Sequence, residues 1–162
     1  MNISFTLNGS RVEVDVPARV NLADCLRHHL HKTGTHVACE HGVCGVCTVI
    51  VNGDAVRSCL MLAVQAQDAE IVTIEGLADG DELSALQASF HKHHALQCGF
   101  CTPGFLTTAH ALLSEEPDAS LERIREVLSG TLCRCTGYVQ IINAVYDARS
   151  AYAGAAGKES ES

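Results

Sequence analysis

Eight of the nine cysteines in this 162-residue sequence stand in two sets of four, Cys39, Cys44, Cys47 and Cys59, then Cys98, Cys101, Cys133 and Cys135. The first set reads C-x4-C-x2-C, with its fourth member after eleven further residues. That is the plant-type ferredoxin spacing, in which four thiolates hold a [2Fe–2S] cluster. The second set reads C-x2-C, thirty-one residues, then C-x-C, which is less diagnostic by itself. Four cysteines also make a structural zinc centre, but zinc sites usually join two C-x2–4-C knuckles, and the first set has only Cys44 and Cys47 in that form. Two complete sulfur sets point to two clusters in series, and so to electrons passing through the chain.

The residues around the thiols suit that chemistry. Gly42 and Gly45 let the segment from Cys39 to Cys47 wrap a compact anionic core and turn backbone N–H groups toward its sulfurs. Cys98 and Cys101 precede Thr102-Pro103, an expected helix start whose positive end favours thiolates. Cys133 and Cys135, one residue apart, would point to opposite faces of a strand, so an irregular loop bracketed by Gly130 and Gly137 is needed for them to converge. A thioredoxin-like redox pair is the competing reading of either C-x-x-C. Such pairs open a helix after a strand in a βαβ unit, and here each has two further cysteines waiting for a role. Cys39-Glu40-His41 looks like half of a Rieske ligand set, but no Cys-x2-His follows, so His41 reads as a loop residue. The group His91, His93 and His94 reads as solvated or partner-facing. Cys25 lies on the apolar side of a short helix and reads as a buried free thiol.

Composition narrows the classes of function. The net charge is −8, from eleven Lys and Arg against nineteen Asp and Glu, which disfavours nucleic acid as a partner. A cysteine-rich chain can be a secreted disulfide scaffold. Met1 to Val16, however, alternates polar and apolar residues instead of showing a basic start and a continuous apolar run. No stretch approaches the roughly 18 apolar residues of a membrane span. The expected location is cytoplasmic, where thiols stay available to metal.

Two kinds of patterning divide the chain. Ile3 to Leu7 and Val12 to Val16 alternate with period two around Asn8-Gly9, and Thr48 to Val51 and Ala55 to Arg57 flank Asn52-Gly53, which gives two hairpins. Asn21 caps a short helix carrying Leu22, Cys25, Leu26 and Leu30, and a further strand lies near Ile71. From Asp81 the period is helical: Leu83, Leu86 and Phe90, then Phe105 to Leu113, then Leu121 to Leu128, then Val139 to Tyr152. The fold class is therefore α+β, a sheet domain over residues 1–76 followed by a four-helix domain over 77–153. The small and charged residues of 154–162 read as a disordered tail.

The blocks Cys39-Glu40-His41-Gly42-Val43-Cys44-Gly45-Val46-Cys47-Thr48, Arg57-Ser58-Cys59, Gln97-Cys98-Gly99-Phe100-Cys101-Thr102-Pro103-Gly104 and Leu132-Cys133-Arg134-Cys135-Thr136-Gly137-Tyr138 occur in order. With them, from about Ile3 to Val145, the chain resembles the small iron–sulfur subunit of the molybdenum hydroxylases, the xanthine oxidase family. The resemblance implies an N-terminal β-grasp, plant-type [2Fe–2S] ferredoxin-like domain and a C-terminal four-helix bundle that binds a second [2Fe–2S] cluster. It implies assembly with a large molybdopterin-binding subunit and a medium FAD-binding subunit, as a dimer of heterotrimers. Electrons would run from molybdenum through the helical-domain cluster and the ferredoxin-like cluster to flavin. It also implies that Gln97 and Cys135 lie against the pterin. Substrates across the family include N-heteroaromatics, purines, aldehydes and carbon monoxide. The alternatives are a structural zinc protein and a free-standing two-cluster ferredoxin.

Overall fold

The computed structural model describes residues 1–156. Strands β1 (Asn2–Leu7) and β2 (Ser10–Asp15) form the first hairpin, β3 (Thr48–Val51) and β4 (Asp54–Arg57) the second, and β5 (Glu70–Val72) lies between them. The sheet order is β2-β1-β5-β3-β4, with β5 parallel to β1 and every other pair antiparallel. Both hairpin turns are two-residue loops with left-handed residues at each position, Asn8 (φ 49°) with Gly9 (φ 80°) and Asn52 (φ 52°) with Gly53 (φ 92°). That geometry matches the twist of the flanking strands and suits Asn-Gly. The first connection is shorter than the four residues expected, because Ser10 and Arg11 already pair with Leu7 and Thr6.

Helix α1 (Leu22–Asp24) starts where Asn21 Oδ1 accepts the Asp24 N–H at 2.8 Å. It widens into a π-helical turn over Cys25–His29, closed by Leu30 N–H to the Cys25 carbonyl at 3.1 Å. Leu22, Cys25 and Leu26 pack on Phe5, Leu7, Val49 and Ile71 to form the sheet's core. Single 3₁₀ turns at Ala63–Ala66 and Ile74–Gly76 flank β5.

Four helices follow: α2 (Ala85–Lys92), α3 (Thr102–Glu115), α4 (Leu121–Leu128) and α5 (Val139–Ala156). Their core joins Leu86, Phe90, Phe105, Leu113, Ile124, Leu128, Ile141 and Val145. Leu83 stands outside this core, largely exposed, because the capping box of Ser84 and Gln87 starts α2 at Ala85. At α3 the cap position belongs to Cys101, and Thr102 is already helical. Helix α5 runs to Ala156, reaching into the stretch 154–162 expected to be a tail. Ala155 and Ala156 are strong helix formers, and Tyr152, one turn back, is held by its hydroxyl on His110 Nδ1 at 2.7 Å. Residues 157–162, also expected to be disordered, lie outside the described residues.

The two cores meet along α3 and β3. Thr107 Oγ1 donates to the Thr48 carbonyl at 2.9 Å. A Cβ on Gly104 would stand 2.7 Å from the Gly45 carbonyl oxygen and 2.8 Å from Val46 Cα, and one on Gly45 would stand 2.5 Å from the Gly130 carbonyl oxygen. Backbone touches backbone at this seam, and glycine is what permits it.

Candidate functional site

The first loop turns back on itself through three left-handed residues, Glu40 (φ 56°), Gly42 (φ 83°) and Gly45 (φ 74°). The Cys44 N–H then donates to Cys39 Sγ at 3.4 Å. Cys59 arrives from the end of β4, fixed by Ser58 Oγ donating to the Cys47 carbonyl at 2.6 Å. Cys47 and Cys59 are buried, while Cys39 and Cys44 are half-buried.

In the second site Cys101 caps α3, and Cys133 and Cys135 occupy the irregular segment between α4 and α5. Tyr138, left-handed at φ 73°, turns its ring edge onto Phe105 at 6.0 Å, and its hydroxyl oxygen accepts the Cys133 N–H at 3.0 Å. The Thr136 N–H donates to Cys133 Sγ at 3.4 Å, and the Thr136 hydroxyl lies 3.1 Å from the same sulfur. Cys135 Sγ stands 3.7 Å from Cys98 Sγ, both exposed. Gln97 Nε2 donates to the Cys135 carbonyl at 3.1 Å, so the two residues expected at the pterin are brought together.

Within each set of four the thiols act on one another. Cys39 interacts with Cys44, Cys59 with Cys47, Cys101 with Cys133, and Cys135 with Cys98. Their acidities diverge accordingly. Backbone N–H groups of His41 and Cys44 bring Cys39 down to about 6. Burial and then neighbouring Cys47 push Cys59 up to about 11, and burial and then Cys133 push Cys101 up to about 12. Cys133 is half-buried, which raises its thiol, yet the Thr136 hydroxyl and N–H hold it below the usual thiol range. Cys98 raises Cys135. Crowded thiols resist losing all their protons unless a positive centre sits among them.

The donor set fits paired ligation. Two thiolates on one tetrahedral metal, at about 2.3 Å each, stand about 3.8 Å apart, close to the observed 3.7 Å. Among the described residues no three His, Cys, Asp or Glu side chains are arranged to hold one metal ion. Four thiols per site is the ligand count of a dinuclear core with two thiolates on each metal.

The two loops are joined directly. The Leu132 N–H, next to Cys133, donates to the Cys44 carbonyl at 2.8 Å. His36 stacks on Phe100, with centroids 4.9 Å apart, and its Nδ1 lies 2.7 Å from the Phe100 carbonyl oxygen. Neither the His36 nor the Tyr138 contacts follow from a linear pattern, since each depends on a partner distant in the chain or on a left-handed backbone. His41 Nδ1 rests on the Cys39 carbonyl. Of the three clustered histidines, His93 contacts Asp147 at 3.0 Å, while His91 and His94 are exposed. Cys25 is fully buried in the sheet's core, and burial pushes its thiol up to about 11.

A mixed sheet and a helical bundle, each presenting four thiols at a shared seam, define a two-site iron–sulfur protein. Residues 5–84 match the 2Fe-2S iron-sulfur cluster binding domain family, and residues 73–146 match the [2Fe-2S] binding domain family. The gamma subunit of caffeine dehydrogenase from Pseudomonas sp. (strain CBB1) is 55% identical over 146 residues, covering 88% of this chain and 87% of that subunit. The crystal structure of quinoline 2-oxidoreductase from Pseudomonas putida 86 matches with a TM-score of 0.93 and 52% identity, over 95% of this chain and 96% of that one. Aldehyde oxidoreductase from Desulfovibrio gigas matches with a TM-score of 0.91 and 39% identity, over 96% of this chain but 17% of that longer one. The chain belongs to the small iron–sulfur subunits of the molybdenum hydroxylase family. It is an electron-transfer component of a multi-subunit oxidoreductase. No helix among the described residues is long and apolar enough to cross a membrane.

Proposed function

We propose that Cys39, Cys44, Cys47 and Cys59 hold one [2Fe–2S] cluster, within a domain of residues 1–76. Cys98, Cys101, Cys133 and Cys135 hold the other, within residues 77–153. When bound, such a cluster supplies reversible one-electron transfer. The protein's own part is to fix the thiolates, hydrogen-bond their sulfurs and set their burial, which tunes each potential. The observation that carries this assignment is the convergence of each set of four thiols, with Cys135 Sγ 3.7 Å from Cys98 Sγ in the second.

The chain relays electrons between a molybdopterin-bearing large subunit and an FAD-bearing medium subunit, in a cytoplasmic dimer of heterotrimers. Gln97 and Cys135 face the pterin. In support, Cys98 and Cys135 are exposed, and so are the apolar residues Leu96, Phe100, Leu132 and Val139 close to them in the chain, which suits burial by another protein. Val43, in the first loop, and Leu60, beside Gly42, are exposed as well. The matched segment being part of a longer chain in the Desulfovibrio gigas enzyme agrees with a component that works inside an assembly. The substrate class we infer is N-heteroaromatic, because the caffeine and quinoline enzymes are 55% and 52% identical here and the aldehyde enzyme 39%.

The test is metal and sulfide analysis of the complex purified with its partner chains. About four irons and four acid-labile sulfides per copy are expected from two dinuclear clusters. Zinc without sulfide would overturn the assignment. Purification as a lone shuttle, without larger subunits, would point instead to a free-standing ferredoxin. Turnover on a panel of purines, quinolines, pyridines and aldehydes tests the substrate class.

A further inference from the structure

Arg57 is the last residue of β4 and pairs across the hairpin with Thr48, the first residue of β3. Its Nη1 donates to Thr48 Oγ1 at 2.8 Å, and that hydroxyl in turn donates to the Gly45 carbonyl at 2.6 Å. Its Nη2 donates to the Gly130 carbonyl at 2.7 Å. Gly45 lies between Cys44 and Cys47, and Gly130 opens the segment that leads to Cys133. One planar guanidinium therefore grips both thiol loops, directly on one side and through a hydroxyl on the other. Among the described residues these are its hydrogen-bond partners, and neither is a carboxylate.

The grip falls beside the contact that joins the loops. Leu132, whose N–H meets the Cys44 carbonyl at 2.8 Å, is two residues past Gly130, and Cys44 is next to Gly45. A rigid two-pronged donor fixes the Gly130 carbonyl and the Thr48 hydroxyl at once, which a flexible point charge cannot do equally well. We propose that Arg57 is a positioning residue that holds the Cys44–Leu132 contact in register, and thereby sets the electronic coupling between the two sites. The proposal rests on both thiol sets holding clusters.

The experiment compares wild type, Arg57→Met and Arg57→Lys in the purified complex. It reads low-temperature EPR after dithionite reduction, and amide exchange of the segment containing Leu132. Methionine keeps an unbranched stem and loses both prongs, whereas lysine keeps the charge and loses the fork. Both variants are expected to retain two clusters at wild-type intensity while their spin–spin splitting narrows. Exchange at Leu132 is expected to quicken about tenfold in Arg57→Met, as loss of charge-assisted hydrogen bonds would do. Arg57→Lys, which keeps the charge, should narrow the splitting as Arg57→Met does, which loss of charge alone would not produce. If Arg57→Met does not assemble, Arg57→Lys carries the same readouts. Wild-type splitting and exchange in the assembled variants would overturn the proposal while leaving the cluster assignment standing. Absence of two cluster signals in the wild type would instead overturn the assignment, and the proposal with it.

Discussion

Substituting alanine at Gly45 strains the seam between the two thiol sites in two separable ways. The residue is left-handed at φ 74°, a conformation that costs an L-residue with a Cβ about 1–2 kcal/mol. The added methyl would also lie 2.5 Å from the Gly130 carbonyl oxygen, 2.8 Å from Thr131 Oγ1 and 2.9 Å from Thr131 Cα. Two of those three atoms are backbone, so relief requires moving the segment that leads to Cys133. Overpacking of this kind costs about 1–3 kcal/mol, which brings the total to about 2–5 kcal/mol. Gly53 supplies the control, since it is left-handed at φ 92° and a Cβ there would meet nothing within 4 Å. Gly53→Ala should therefore cost the conformational part alone, about 1–2 kcal/mol. The excess at Gly45 corresponds to a melting temperature lower by about 2–12 °C for a domain pair of this size. The assay is thermal unfolding of the purified complex at one scan rate, followed by near-ultraviolet circular dichroism and by loss of visible absorption. Equal melting temperatures for Gly45→Ala and Gly53→Ala would refute the claim that backbone contact with Gly130 and Thr131 constrains this position.

Cys135→Ala is expected to remove the helical-domain cluster and keep the plant-type one. EPR would show one signal lost, and two unaltered signals would break the ligand assignment. His110 is half-buried against Tyr152, and that desolvation holds its imidazole below the usual histidine range. The folded chain therefore resists a proton that the unfolded chain accepts near pH 6.5, so this stability is present above that pH and is lost as pH falls. Urea titrations of wild type and His110→Gln between pH 7.5 and 5.5 should show the wild type losing more, and parallel losses would refute the effect. Phe105→Ala, at a fully buried ring in the helical core, should cost about 3–5 kcal/mol. Chemical denaturation measures it, and a loss under 1 kcal/mol would mean that the ring is not holding Tyr138 and the second loop together.

Features carried by near neighbours in the chain were legible from the sequence, and features made by folding were not. The Asn8-Gly9 and Asn52-Gly53 turns, the Asn21 cap and the helical stripes of α3 to α5 are local, and each appears where its residues demand it. Periodicity misplaced Leu83 because apolar spacing alone ignores the Ser84–Gln87 capping box, a stronger start signal three residues wide. At α3 the Thr102 N–H turns back to the Gly99 carbonyl, so Cys101 takes the cap that a Thr-Pro pair suggests for Thr102. The widened turn at Cys25–His29 has no compositional mark. Of the site, the eight thiols announce themselves by spacing, and Gln97 stood out only through the family resemblance. Arg57, His36 and Tyr138 act through partners distant in sequence or through an unusual backbone angle, which a linear pattern does not encode.

Helix α3 belongs to both halves at once: Phe105 and Leu113 fill the helical core while Gly104 lies on Gly45 and Val46 and Thr107 on Thr48 of β3. Ending the chain near residue 76 would therefore strip Gly45 and Val46 of the cover they now have and leave the Thr48 carbonyl without its Thr107 donor. The two modules should melt as one cooperative unit, with no intermediate in which either survives alone. Recombination between relatives faces the same limit: a sheet module borrowed from a stand-alone ferredoxin would be accepted only if it brought a side-chain-free surface for this helix to rest on.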